Sequence, residues 1–391
     1  MRDWRRVSLK TIAEIYDGPH ATPTKLGHGP WYLNIASLQS GRLRLEESAH
    51  ISEDSFALWT RRVRPCPGDV LFSYETRLGE AAAVPDHITA CLGRRMGLLR
   101  PRRSAVEPRF LLYAYLGPLF QETIRQRTVH GATVERLPIS EMGTWEIEVP
   151  PLSEQRAIAE VLGALDDKIE ADRSVGDRAE ILAIQLPSLA ERTTSVGAVA
   201  RSAHRTVATS YFAGKEVEHF SLPAFDVGRL PLVEPGDEIK SGKYLLEAPT
   251  VLVSKLNPHI PRVWMAVPSG TGPAVTSTEF VGLTPISDYP TEVLWALCAS
   301  GDFKSQLLEM VKGTTGSHQR VSREDILALQ IPDPETMDRD VCETIVSLVR
   351  LAGSLRRESG RLASLRDALL PRLLSGELRV RDASALVEEA V

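Results

Sequence analysis

A seven-residue spacing dominates the C-terminal part of the chain. Val341, Leu348, Leu355, Leu362 and Leu369 recur without a break, and Ile345, Ala352 and Leu373 fill a second register that Ser359 and Arg366 interrupt. This is the pattern of a helix that packs along its length against another helix. Pro371 and Gly376 end the run. A related pattern follows two prolines in mid-chain, in "PPLSEQRAIAEVLGALDDKIE" (150–170). Ser153 is placed to cap that helix, and Glu154 and Gln155 suit its first turn. Ile158, Leu165, Ala179 and Leu186 share one register, with Asp172 as its polar member; Val161, Val175, Leu182 and Leu189 share the other, with Lys168 as its polar member. Each helix of about 33 residues would be about 50 Å long. Two seams in one chain predict antiparallel pairing with each other. The competing reading is two core helices of ordinary globular domains.

The stretches leading into these helices repeat. "GATVERLPISEMGTWEIEVP" (131–150) aligns without gaps to "GTTGSHQRVSREDILALQIP" (313–332), setting Ile139-Ser140 on Val321-Ser322, Ile147 on Leu329 and Val149-Pro150 on Ile331-Pro332. Upstream, "GDVLFSY" (68–74) resembles "PTVLVSK" (249–255), "AAVP" (82–85) faces "MAVP" (265–268), and "MGLLRP" (96–101) faces "FVGLTP" (280–285). Each half thus has the same order: strands and short helices, an apolar strand ending in proline, then a long helix. The fold class expected is α+β, a pseudo-two-fold duplication of a mixed α/β domain and a long helix. The boundaries are 1–150, helix 151–195, 196–333, helix 334–381 and a tail 382–391.

Composition is that of a globular chain, with 43% hydrophobic and 25% charged residues and a net charge of −5. The amino-terminal stretch lacks the apolar core of a signal peptide, and "FLLYAYLGPLF" is too short to span a bilayer. Four scattered cysteines without a C-x-x-C pair fit a reducing cytoplasm and no metal site. The charge is uneven: "LGRRMGLLRPRRSAVEPR" (92–109) holds six Arg against one Glu. No phosphate loop, G-x-S-x-G elbow or H-E-x-x-H is present. "LNPHIP" (256–261) lacks the second proline and the aromatic of an adenine methyltransferase motif, so no catalytic residue is assigned.

"PPLSEQRAIAEVLGALDDKIE" and "LRDALLPRLLSGELRV" (365–380) resemble the two helical regions of the specificity subunits of type I restriction–modification systems. "IYDGPHATP" (15–23) with "YLNIASLQSGRL" (32–43), and "EIKSGKYLLEAPTVLVSKLNPHIPRVW" (238–264) with "TSTEF" (276–280), resemble parts of their target-recognition domains. The second helix departs from the pattern, reading "IPDPETMDRDVCETI" where a Pro-Leu-x-Glu-Gln start would stand. The resemblance implies a non-catalytic subunit without a cofactor of its own. Each recognition domain would read half of a bipartite double-stranded DNA target. Two methyltransferase subunits carrying S-adenosylmethionine would dock on the helices, and restriction subunits using ATP and magnesium could join. Docking and seam positions are then Glu154, Gln155, Ile158, Val161, Leu165, Leu182, Val341, Leu348, Leu355, Leu362 and Leu369. The alternative function is a coiled-coil scaffold that binds other proteins.

Reading bases requires side chains that hydrogen-bond base edges and neutralise phosphates. Loops of that composition flank the repeated strands. In the first domain they offer Tyr74, Arg77, Arg94, Arg95, His130 and Thr133. In the second they offer Lys255, Asn257, His259, Arg262, Thr276 and Ser277, then Lys312, Thr315, His318, Gln319 and Arg320.

Overall fold

The computed structural model describes residues 4–39, 41–131, 134–202, 205–310 and 319–390. It divides into two compact units: residues 1–167 with 362–391, and residues 168–361. The division cuts the two long helices, Leu152–Gln185 and Arg339–Leu374.

In the first unit a four-stranded antiparallel sheet runs Ala13–Asp17, Met96–Pro101, Val70–Ser73, Ala81–Ala83. Val70–Ser73 is buried throughout, as an unbroken apolar run requires. Helix Pro108–Leu116 covers the sheet, capped by the Glu107 carboxylate, which accepts from Phe110 N at 2.8 Å. Strand Arg5–Ser8 pairs with Glu146–Val149, leading into the first long helix.

The second unit repeats this plan. Its four-stranded sheet runs Ala200–Arg201, Phe280–Pro285, Thr250–Ser254, Val263–Ala266, and helix Thr291–Ala299 packs on it. Thr193–Ser195 pairs with Gln330–Pro332 ahead of the second long helix. Packing is conserved by exchange of volume. Gly97 lies opposite Phe72, whose ring reaches within 2.2 Å of where a Gly97 Cβ would stand; the second unit pairs Val281 with Val253 there. A large–small pair and a medium–medium pair fill similar space.

The duplication is real, but its alignment over the last strand shifts by two residues. Leu9 N donates to Trp145 O at 2.8 Å, and Val196 N to Leu329 O at 2.9 Å. Trp145 therefore corresponds to Leu329 and Ile147 to Ile331, not Ile147 to Leu329. A slip of two keeps every side chain on the same face of a strand, so the apolar pattern survives it. The same bonds reveal a further element of the repeat. The single helical turns Leu9–Ile12 and Val196–Val199 each bury their first and last residues.

The long helices pair antiparallel. In the second unit Gly176 packs on Ala352, at 3.7 Å from the Cβ position to the Ala352 Cα, and Ser359 Oγ lies 3.5 Å from Ile169 O. The buried stripe on the first helix is Ile158, Leu162, Leu165, Ile169, Asp172, Gly176, Ala179 and Ala183. Its second register is thus Leu162, Ile169, Gly176 and Ala183, one residue on from the run expected through Val161, Val175 and Leu182. Val175 and Leu182 are exposed. A glycine and an alanine in the seam let the helices approach closely, which large apolar side chains would prevent. On the second helix Leu362 and Leu369 are buried, whereas Val341, Leu348 and Leu355 are half-buried. Among the described residues, no helix is long and apolar enough to cross a membrane.

Candidate nucleic-acid interface

In each unit the buried third strand runs out into a loop held by the same hydrogen bonds. In the first, Tyr74 N donates to Arg95 O (3.1 Å) and Leu137 N to Tyr74 O (2.9 Å). In the second, Lys255 N donates to Glu279 O (2.9 Å) and Val321 N to Lys255 O (3.1 Å). Ser73 Oγ donates to Glu75 O at 2.6 Å, and Ser254 Oγ to Leu256 O at 3.0 Å. Isolated bridges join Glu75 to Arg136 and Leu256 to Arg320. One residue further on, Thr76 and Asn257 both have positive φ, 70° and 52°. A left-handed threonine is uncommon and persists only where its surroundings enforce it, most often at functional positions. Three loop segments therefore converge in each unit: 74–77, 93–95 and 134–137 in the first, and 255–260, 277–279 and 319–321 in the second.

Several expected contacts are committed inside the protein. Tyr74 is buried, and burial raises its hydroxyl pKa so that it stays protonated. Thr276 is buried and donates to Phe220 O at 2.9 Å. Arg262, also buried, makes a two-pronged pair with Asp226 at 2.7 and 2.8 Å. These three do not stand at the surface: Tyr74 follows strand Val70–Ser73, Arg262 precedes Val263–Ala266, and Thr276 ends Ala274–Thr276, and all are buried there. Arg77 is half-buried and caps the 3-10 turn Ile35–Ser37, donating to Ile35 O (3.2 Å) and Ala36 O (3.1 Å). Arg95 pairs with Glu75 at 2.7 Å, and Arg320 with Glu279 at 3.0 Å. His130 lies 2.9 Å from Glu135 on the exposed turn after Val129.

Arg94 and His259 are exposed, while Lys255, Asn257, Ser277 and Gln319 are half-buried at the rim of the loop cluster. Thr133, Lys312, Thr315 and His318 lie outside the described residues. The positive φ at Thr76 left no trace in residue type, whereas Asn257 is of a type that favours this backbone region. Paired loops following like strands were the available signal.

The polar members of the heptads meet each other. Lys168 joins Asp172 (2.6 Å) and Glu358 (2.7 Å), and these two carboxylates raise its pKa. In the first unit Asp166 accepts from Tyr113 (2.7 Å) and Arg366 (2.8 Å). Gln155 is buried too, and is no docking surface. Its Oε1 accepts from Glu107 N (2.9 Å), and its Nε2 donates to Pro150 O (2.8 Å) and Ala105 O (3.3 Å). Ile158, Val161 and Leu165 are likewise buried, which leaves Glu154 and Leu182 on the surface of this helix.

Residues 1–176 match the family described as the type I restriction modification DNA specificity domain. A putative type I restriction enzyme MjaX specificity subunit of Methanocaldococcus jannaschii is 24% identical over 248 residues. That match covers 60% of this chain and 52% of the relative, so the chain spans about half the length of the curated relative it matches. The crystal structure of a type I restriction–modification system S subunit from M. genitalium superposes with a TM-score of 0.57 at 14% identity, covering 95% of this chain and 96% of that one. At that identity the likeness is one of fold.

Proposed function

We propose, for a chain whose residues 1–176 match the type I restriction modification DNA specificity domain, the role of DNA sequence-specificity subunit. The observation that carries this reading is the duplicated loop cluster. Two units of one topology hold three loops with the same backbone bonds yet fill equivalent positions with different side chains: Tyr74, Glu75 and Arg95 in one, Lys255, Leu256 and Glu279 in the other. A scaffold with constant backbone and changeable loop chemistry suits the reading of two unlike half-sites. Arg94 and His130 serve the first half-site; Lys255, Asn257, His259, Ser277, Gln319 and Arg320 serve the second. The exposed Arg320 exchanges its carboxylate partner for DNA groups, a step made easy by the small net energy of exposed pairs.

The chain binds no cofactor of its own. Adenine methylation, with S-adenosylmethionine, belongs to two methyltransferase subunits, and any ATP- and magnesium-dependent cleavage to a restriction subunit. Glu154 and the exposed Val175, Ile181 and Leu182 are the helix positions left for such partners. Co-expression with a methyltransferase subunit, followed by sequencing of methylated bases, tests the reading. A split adenine motif is expected, and its absence refutes the assignment.

A further inference from the structure

We propose that the second unit carries a docking site for an extended, acidic segment of a partner protein, at the outer edge of strand Val263–Ala266. The two units treat the last strand of their four-stranded sheets differently. In the first, strands Leu38–Gln39 and Arg42–Leu43 pair, and Gly41 beside them lies on the edge of Ala81–Ala83. Gly41 N donates to Ala81 O at 3.0 Å, and Ala83 N to Gly41 O at 3.4 Å. Gly41 has φ +94°, and a Cβ there would come within 3.1 Å of Leu116, so only glycine suits this approach. The next residue, Arg42, then reaches Asp166 on the long helix at 3.6 Å. A backbone tip extends the strand, and a carboxylate on the helix holds the charge beside it.

In the second unit, among the described residues, no segment pairs with the outer edge of Val263–Ala266. A cavity of about 500 Å³ opens there instead, bounded by this strand, helix Thr291–Ala299 and the second long helix. Trp264, Trp295 and Val349, all buried, give it apolar walls. Its rim is cationic. Arg350 pairs with Glu292 at 2.7 Å, and Arg229 and Arg356 share Glu180 at 2.6 Å each. Arg357 is exposed and has no carboxylate partner among the described residues. Arg229 also lies 3.6 Å from Asp177, so four guanidinium groups face three carboxylates and the rim is left one negative charge short. The polarity of the first unit is reversed: there the helix offers Asp166 and the occupant brings Arg42; here the helix offers arginines and the occupant brings a carboxylate. An open strand edge and two indole walls suit a polypeptide rather than a phosphate backbone.

The probe is a capped hexapeptide with the sequence of Leu38–Leu43 carrying Arg42→Glu, with the unaltered sequence as control. Both are titrated into the full chain and followed by tryptophan fluorescence. Saturable binding of the acidic peptide is expected, at least tenfold tighter than the control. Arg357→Glu should reverse the preference. Gly353→Phe, which fills the cavity from the long helix, should abolish binding with the thermal midpoint retained. Failure to bind, equal affinity for both peptides, insensitivity to Arg357→Glu, or displacement by a random DNA duplex overturns the proposal. The inference rests on the specificity-subunit reading only in taking the partner as a protein of the same complex. Peptide binding and the methylation motif are separate measurements, so either reading can fail alone.

Discussion

At the scale of single residues, Gln155 shows how a residue suited to a partner surface becomes structural. Its amide ties the start of the long helix to the segment before helix Pro108–Leu116 through three backbone groups. Gln155→Ala strands those groups in a buried place, which costs about 1–3 kcal/mol. Chemical denaturation should show that loss, while Glu154→Ala, half-exposed one residue away, should leave the midpoint unchanged. His219 supplies a pH dependence. Burial lowers its pKa below the usual 6.5, although Glu234 at 2.6 Å pulls the other way; the nearby Lys243 adds to the lowering. The folded form therefore holds this imidazole neutral, and the unfolded chain takes up its proton first as pH falls. Its stabilising contribution is full above about 6.5 and is lost on acidification through that value towards the lower folded pKa. Stability of the second unit should drop on acidification below about pH 6.5, and His219→Gln should flatten that slope.

At the scale of elements, the two long helices are specified by small residues and by charge as much as by leucine. Leu162 and Leu182 look equivalent as apolar residues, yet one is fully buried and the other exposed. Leu162→Ala should cost about 2–5 kcal/mol and Leu182→Ala less than about 0.5, read from urea midpoints. Lys168→Met would leave the buried Asp172 carboxylate without its cation. Because Lys168 is itself partly exposed, a loss on the order of 2 kcal/mol is expected rather than the larger penalty of a wholly buried pair. The interruptions at Lys168, Asp172 and Arg366 act as register marks, since a heptad slip would bury each charge against an apolar residue.

At the scale of the whole molecule, duplication is the organising fact. On the proposed function, exchanging residues 1–150 for the corresponding domain of a known specificity subunit should change one half of the methylated motif and leave the other intact. A heptad inserted into each long helix adds about 10 Å, close to three base pairs at 3.4 Å, and should lengthen the unspecified spacer by that amount. Methylated-base sequencing reads both outcomes. A spacer left unchanged would refute the expectation, drawn from the resemblance to specificity subunits, that the helices set the distance between the two half-sites.

The heptads, the repeated strand sequences and the helix punctuation were legible in the chain itself, because they arise from local periodicity and backbone propensity. From them followed the α+β class, the duplication and the antiparallel helix pair. What the sequence could not decide was which of two adjacent registers faces inward. A spacing of three or of four residues after Ile158 serves a seam equally, and only the approach of Gly176 to Ala352 resolves it. Nor could it separate Arg94 from Arg262. Both are arginines in polar stretches, but Asp226, 36 residues upstream, covers one of them. Such pairings belong to the tertiary structure, which alone determines which charges meet, and therefore which remain free at the surface.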